Sequence, residues 1–361
     1  MTRKRVAVLF NHVGEDEYEK LKQVDESKLD FEPEYEIAVA TVQEEYDAIV
    51  TALKAEGFDA FPYNLEERID RLHALAAERP DAVVNLVEHF HDDPDHESAV
   101  AAYLDLCQIP YTGAPPFTLT LCRRKGLAKQ LLRASAVPTP RYLLLWEPRV
   151  PKRHGLRYPM IIKPAREDAS AGVDQESVVD DFRQLGEQVE RAFESFGPPI
   201  LVEEFIDGRE LHVAVLGNDP PIVLPMVEYD FTGLSEGRRR IISYAVKWDP
   251  LQEDYHRVHS VCPAELSRRA HDRVAEVALH AYRILECRDY ARLDVRLDSQ
   301  NRPHVLEVNP NPDLTEGVSF MESAETGGYS FATTLRMLVE MALGRTVAPY
   351  VPPEPAGPAE G

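Results

Sequence analysis

The sequence predicts a mixed α/β and α+β chain, with a parallel α/β unit first and two units after it in which antiparallel strands and helices are combined. Three observations carry this. Apolar strand runs alternate with amphipathic helical runs over the first third. A lysine inside one apolar strand, "PMIIKPA", is followed one helix later by "PILVEEFI", a strand that ends in acids. An alternating acid and arginine hairpin, "YARLDVRLDSQNRPHVLEVNP", closes the last third. At 361 residues the chain is too long for one small core, so two or three subdomains are expected.

In order, "RVAVLFN" reads as a buried strand, "QEEYDAIVTALKAEGFDAFPYN" as a helix closed by Gly57 with a second strand, and "LEERIDRLHALAAERPDAVVNLVE" as a helix stopped near Pro80 with a strand through Val83, Val84 and Leu86. These make an N-terminal α/β unit over 1–117. A basic helical segment at 120–137 leads into a central unit, 118–208, with strands "RYLLLW", "PMIIKPA" and "PILVEEFI" and a helix "ESVVDDFRQLGEQVERAFESF". The third unit, 209–345, holds "ELHVAVLG", "PIVLPMVEYD", a loop rich in Gly and Arg, the helix "ELSRRAHDRVAEVALHAYRIL" and the hairpin. Met321 and Met337 fall at core spacing. The acidic stretch 14–34 reads as a lid, a substrate loop or a disordered segment, and the Pro-rich 346–361 as a disordered tail.

The formal net charge of -22, from 62 acidic against 40 basic residues, excludes a nucleic-acid backbone as the expected partner. The one dense basic run, Arg238 to Arg240, is expected on a loop that clamps an anionic ligand. Four widely spaced cysteines without a CxxC pair fit a reduced compartment. Neither a signal peptide nor a membrane span is expected, and a cytoplasmic location follows.

The hairpin carries the chemistry. An extended strand puts Val305, Glu307 and Asn309 on one face, and a turn at "DSQNRP" places Leu297 opposite His304 and Asp294 opposite Glu307. Facing carboxylates repel. Arginines such as Arg292 on a solvated face would relieve this, and so would a hard divalent cation, since Mg²⁺ takes oxygen ligands from carboxylates and phosphates. Glu307 can bridge two ions, with Asp294 and the Asn309 amide oxygen holding one each. Lys163 ends an apolar run, where an unpaired ammonium is costly, and Lys125 sits in a helix. "LVEEFIDGRE" offers backbone groups and carboxylates to an adenine and its ribose. Neither a GxxxxGKS/T loop nor a GxGxxG turn is present.

Taken in order, Lys125, "IIKPAREDASAG", "LVEEFIDGRE", "ARLDVRLD" and "LEVNPNPDLT" resemble the successive ATP-site motifs of the ATP-grasp superfamily, most nearly its D-alanine–D-alanine ligase-like branch. "VVNLVEHF" and "LCQIPYTGAPP" resemble that branch too. The resemblance implies an ATP-grasp fold with an N-terminal parallel α/β (preATP-grasp) domain, and ATP between the second and third units. It implies Lys125 and Lys163 at the phosphates, Glu203 and Glu204 beside the adenine edge, backbone from Glu204 through Phe205 to Ile206 on the ring, and Glu210 on the ribose. Asp294, Glu307 and Asn309 would hold two Mg²⁺ (or Mn²⁺).

The implied reaction is attack of a substrate carboxylate on the γ-phosphate of ATP, then attack of an amine on the acyl phosphate, with Arg292 steadying the oxyanion and Lys247 and Ser170 at the reacting groups. The implied partners are small carboxylate and amine substrates, amino acids or small peptides, and a homodimer is a fair expectation. Other readings are an ATP-grasp enzyme with a non-amine acceptor and a nucleotide-binding module without catalysis.

The substrate end departs from the family pattern. The usual serine of the phosphate turn is Ala169, the lid tyrosine is Trp248, and a glycine after the metal asparagine is Asp313. D-alanine is therefore not the expected substrate. Asp313 favours an amine over a carboxylate, unless it caps the helix that follows. Glu88 and Glu97 are candidate substrate contacts. His89, His91 and His96 read as an exposed loop rather than a metal cluster.

Overall fold

The computed structural model describes residues 3–345 apart from 15–17, 23, 25–28, 36, 38 and 169. The expected tail at 346–361, the substituted turn residue Ala169 and part of the acidic stretch at 14–34 lie outside the described residues.

The chain opens with β1 (Arg5–Phe10), a short α1 (Tyr18–Leu21), α2 (Val42–Ala55), β2 (Asp59–Asn64), α3 (Ile69–Glu78) and β3 (Ala82–Asn85). The three strands form a parallel sheet in the order β2-β1-β3. β1 is covered on both faces, as its unbroken apolar run requires. α2 begins on a capping box, Thr41 and Glu44, and turns Ile49, Val50 and Leu53 inward. α4 (Glu97–Leu106), α5 (Pro116–Arg123) and α6 (Lys125–Ala134) follow.

β4 (Tyr142–Leu145), β5 (Met160–Pro164), β6 (Val178–Val179), α7 (Phe182–Phe196) and β7 (Ile200–Glu204) make an antiparallel sheet ordered β4-β7-β5-β6. The helix expected from Glu176 starts only at Phe182. Two buried β-branched residues, Val178 and Val179, pair instead with Ile161 and Met160, and Asp181 then caps the helix by accepting from Gln184 N.

The last sheet contains β8 (Arg209–Leu216), β9 (Ile222–Val223), β10 (Val227–Asp230), β11 (His259–Val261), β12 (Tyr290–Leu297) and β13 (Pro303–Asn309). Its order is β11-β10-β8-β12-β13, with β9 on β8 and every pairing antiparallel. α8 (Tyr244–Trp248) and α9 (Glu253–Arg257) cross one end, and α10 (Arg268–Ile284) packs its buried Val274, Ala278 and Ala281 on the sheet. α11 (Ser319–Thr326) and α12 (Phe331–Gly344) return to the first sheet, where Leu335 and Leu338 share a core with Val6 and Val8. No helix of the described residues is long and apolar enough to cross a membrane.

The hairpin corrects the expected register near its turn. Leu297 faces Pro303 and Arg296 faces His304, yet Asp294 does face Glu307, because Leu306 is an extra residue bulged between the Val295–Val305 and Asp294–Glu307 pairs. The bulge also changes which side chains share a face. Val305 joins Val308 in the core, whereas Leu306 and Glu307 line the opposite side; the expected grouping of Val305 with Glu307 does not form.

Candidate functional site

A cleft with about 880 Å³ of empty space, counted out to its open mouth, separates the central sheet from the last sheet. Its floor is the bulged hairpin: Arg292, Asp294 and Arg296 from β12, Leu306 and Glu307 from β13. Its roof is Lys163 from β5 and Glu203 to Ile206 at the end of β7. Lys125 at the start of α6 closes the back, and Lys247 on α8 closes the side.

Charge in the cleft is arranged in pairs. Lys125 Nζ lies 2.9 Å from Glu307 Oε2 and 2.7 Å from Asp168 Oδ1. Burial works against the Lys125 charge, but these two carboxylates outweigh it and raise its pKa. Burial likewise works against the Glu307 charge; Lys125 and Lys163 overcome that and hold its carboxyl well below the usual range. Glu203, 1% exposed, is gripped by Lys129 Nζ and Lys163 Nζ, each at 2.6 Å. Burial, relieved only in part by Glu203, brings Lys129 down to about 8.

Arg292 holds Asp294 through Nε at 2.8 Å and Nη2 at 3.1 Å. Asn309 Nδ2 donates to Asp294 Oδ2 at 3.4 Å, which places its amide beside the facing carboxylates of Asp294 and Glu307. That set of oxygen donors fits a hard divalent cation. His212, opposite Asp294 on β8, places Nε2 3.6 Å from Asp294 Oδ1, and burial depresses its imidazole to about 3. Arg296 Nη2 meets Glu210 Oε2 at 2.5 Å, and its Nη1 donates to the Ile206 carbonyl at 2.9 Å. Its guanidinium also covers the Phe205 ring, 4.8 Å from the centroid.

Of the two acids that end β7, only Glu203 turns toward the cations of the cleft. Glu204 turns its carboxylate to Arg141 and Arg157. Ser170 Oγ donates to the Ile242 carbonyl at 2.9 Å, and Tyr244 N donates to Val173 O, so the turn after β5 is tied to the segment that begins α8. Lys247 Nζ sits 4.9 Å from the Trp248 ring centroid, and burial lowers its pKa. Arg238 and Arg239 are already paired, with Asp254 and Asp180, which leaves them poorly placed to clamp an anionic ligand.

An acidic group lies near the cleft, where Glu88 feels Asp313, Lys247 and Asp168 and Glu97 feels Glu88. Glu88, Glu97 and Asp313 make no ion pair among the described residues. Asn311 Nδ2 approaches Glu97 Oε1 at 3.4 Å, and Asp313 accepts from Thr315 N at 2.8 Å, so Asp313 does brace the turn that follows it. Glu88 is exposed at the surface; desolvation first and Asp313 second raise its pKa. Burial and then Glu88 push Glu97 up to about 8.

The sequence reading missed Lys129, Asp168, Arg296 and His212. Lys129 and Lys125 are four apart on one helix, and that spacing was the available signal. Away from the cleft, ligand atoms of Glu67, His89 and Asp92 lie within 4.8 Å of one another, although Asn11 Nδ2 already donates to Glu67 Oε1 at 2.7 Å.

Known proteins resemble this chain along most of its length. The family model described as the D-ala D-ala ligase C-terminus matches residues 131–340. An uncharacterized protein of Sinorhizobium fredii is 33% identical, over 67% of this chain and 69% of its own. The D-alanine–D-alanine ligases of Desulforudis audaxviator and Carboxydothermus hydrogenoformans are 30% and 29% identical, each over 82% of this chain and 92% of their own. A structure of the Bacillus anthracis D-alanine–D-alanine ligase complexed with ATP superposes with a TM-score of 0.71 at 19% identity, covering 95% of this chain and 98% of that one.

Proposed function

This chain belongs to the D-alanine–D-alanine ligase family of ATP-grasp proteins, ATP-dependent carbon–nitrogen ligases, and from that premise we propose that it joins a carboxylate to an amine through an acyl phosphate. The observation that carries the reading is the facing pair Asp294 and Glu307, with Asn309 against Asp294, on one wall of a cleft that Lys163 faces from the other side. In this reading the units 1–117, 118–208 and 209–345 enclose a cytoplasmic active site, and the chain forms a homodimer.

Lys125 and Lys163 bind the ATP phosphates, backbone from Glu204 to Ile206 receives the adenine, and Glu210 takes the ribose once Arg296 yields it. Asp294, Glu307 and Asn309 hold two Mg²⁺ or Mn²⁺. A metal pair there supplies charge neutralisation for the phosphate oxygens. A substrate carboxylate oxygen bonds to the γ-phosphorus as the bond to ADP breaks. The amine nitrogen then bonds to the acyl carbon, phosphate departs, and a proton is released. Arg292, Lys247 and Ser170 line the reacting end, with Arg292 steadying the oxyanion. ADP release with Mg²⁺ and ATP, screened over pools of amino acids and small peptides, tests the reaction. Turnover that needs no amine would sink it.

The substrates are read as amino acids or small peptides other than D-alanine. Glu88, Glu97 and Asp313 form an acceptor wall of carboxyl groups without ion-pair partners among the described residues, which when ionised repels a carboxylate and attracts an ammonium. Trp248 is read as a further substrate contact. Replacing Asp313 by Gly is expected to shift kcat/KM from cationic toward carboxylate-bearing acceptors by about tenfold, roughly the weight of one partly solvated charge pair. An unchanged ranking across a panel of acceptors would remove Asp313 from recognition.

Because burial and Glu88 push Glu97 up to about 8, the acceptor wall gains the Glu97 charge as pH rises through that value. For a cationic acceptor, kcat/KM is expected to climb with a midpoint near pH 8 in the wild type and to stay flat there in Glu97→Gln. A midpoint that persists in the variant assigns the titration to another group.

A further inference from the structure

The cleft face of the last sheet carries one row across three strands: His212 on β8, Asp294 on β12 and Glu307 on β13. Nothing in the oxygen donor set above requires an imidazole at its end. His212 is 3% exposed, lines the cleft, and is fixed at Nδ1 by Ser319 Oγ at 2.8 Å. The edge of Tyr229 packs on its ring, with centroids 4.7 Å apart. Nε2 is the free nitrogen. At 3.6 Å from Asp294 Oδ1 it is beyond hydrogen-bond reach, and it makes no hydrogen bond among the described residues.

We propose that His212 is a nitrogen ligand to the divalent metal held at Asp294 and that it biases the site toward manganese over magnesium. The inference rests on the metal reading of Asp294 and Glu307 given above. Two ligands of one octahedral ion, with bonds of about 2.1 Å, lie about 3 Å apart, so Nε2 and Oδ1 need to close by only a few tenths of an ångström. A ring pinned through its other nitrogen is the arrangement that orients a metal-binding histidine. Magnesium keeps to oxygen ligands and sheds water reluctantly, whereas first-row transition ions accept imidazole. A buried imidazole beside Asp294 is therefore a selectivity element as well as a contact.

The test is spectroscopic. Mn²⁺ is bound to the full chain in the presence of ADP, and electron spin echo modulation is recorded on protein with ordinary or ¹⁵N-labelled histidine. The expected result is a nitrogen coupling that changes with histidine labelling, survives in His89→Ala, and is lost in His212→Gln. In parallel, titration calorimetry is expected to show Mn²⁺ bound about tenfold or more tighter than Mg²⁺, with the ratio falling about tenfold in His212→Gln. If that variant does not fold, the labelled wild type and His89→Ala still decide the ligand. Bound Mn²⁺ without a histidine coupling, or a coupling lost in His89→Ala, overturns the proposal and leaves the carboxylate site standing. Absence of bound Mn²⁺ overturns the carboxylate site as well.

Discussion

Glu307→Gln is expected to cut substrate-dependent ADP release by about 10³-fold while leaving the fold intact, since removing one preorganised electrostatic contact from a water-poor site costs on that order. The side chain is 21% exposed and its replacement is isosteric, so the packing loss is small. What is lost is charge. Glu307 is kept ionised across any working pH by Lys125 and Lys163, and it faces Asp294 across the hairpin. The amide removes one of the two negative groups that would share metal ions, and it leaves Lys125 to Asp168 alone. Single-turnover measurement of ADP, with nucleotide affinity determined separately by calorimetry, isolates the chemical step. Turnover above a tenth of the wild type would move phosphoryl transfer away from this hairpin.

The second large effect is on stability. Glu203→Gln is expected to lower the unfolding free energy by about 3–5 kcal/mol, the usual loss when one member of a buried ionic group is removed and its partners stay charged. Two ammonium groups would then share a site 1% exposed at its centre. The pH dependence has a definite sign. Lys129 already titrates near 8 in the folded chain against an ordinary value of 10.5, so the unfolded chain binds more protons between those values. The burden of a buried Lys129 charge is fully present below pH 8 and is relieved as pH rises toward 10.5. Without Glu203 the folded value falls further and the relief begins at lower pH. Urea melts from pH 7 to pH 10 measure this, and addition of Lys129→Met should recover part of the loss at pH 7. A loss under 1 kcal/mol would mean that Lys129 and Lys163 reach solvent when Glu203 is neutral.

These two residues differ in how much the sequence revealed of them. Glu307 was legible because its neighbourhood is local: a hairpin fixes its own register, and two acids across it signal a cation. Lys129 was hidden because a lysine four positions from another on a helix looks like a solvated face until a distant strand, β7, delivers Glu203 to it. The same holds for His212, which sits in the apolar run "ELHVAVLG" and acquires a polar role only through β12. Apolar runs and helix periodicity foretold the parallel first unit and most of the strands of the two later ones. They did not foretell that α12 would complete its core, since periodicity gives the apolar face of a helix but not its partner. The missed start of α7 was a local error, where Asp181 and two valines outweighed the helical pattern before them.

Leu306 shows what the active hairpin depends on. Its contribution is a matter of counting: one surplus residue exchanges odd and even, so that an acid which strict alternation would send inward emerges on the reacting side. Many apolar side chains can occupy such a position, and its deletion would close the ladder with Glu307 still facing Asp294. Sequence comparison at this position should therefore follow gaps rather than letters. A relative one residue shorter between the Asp298–Arg302 turn and Glu307 would keep the acid on the cleft side, whereas regular pairing with Leu306 retained would turn it inward.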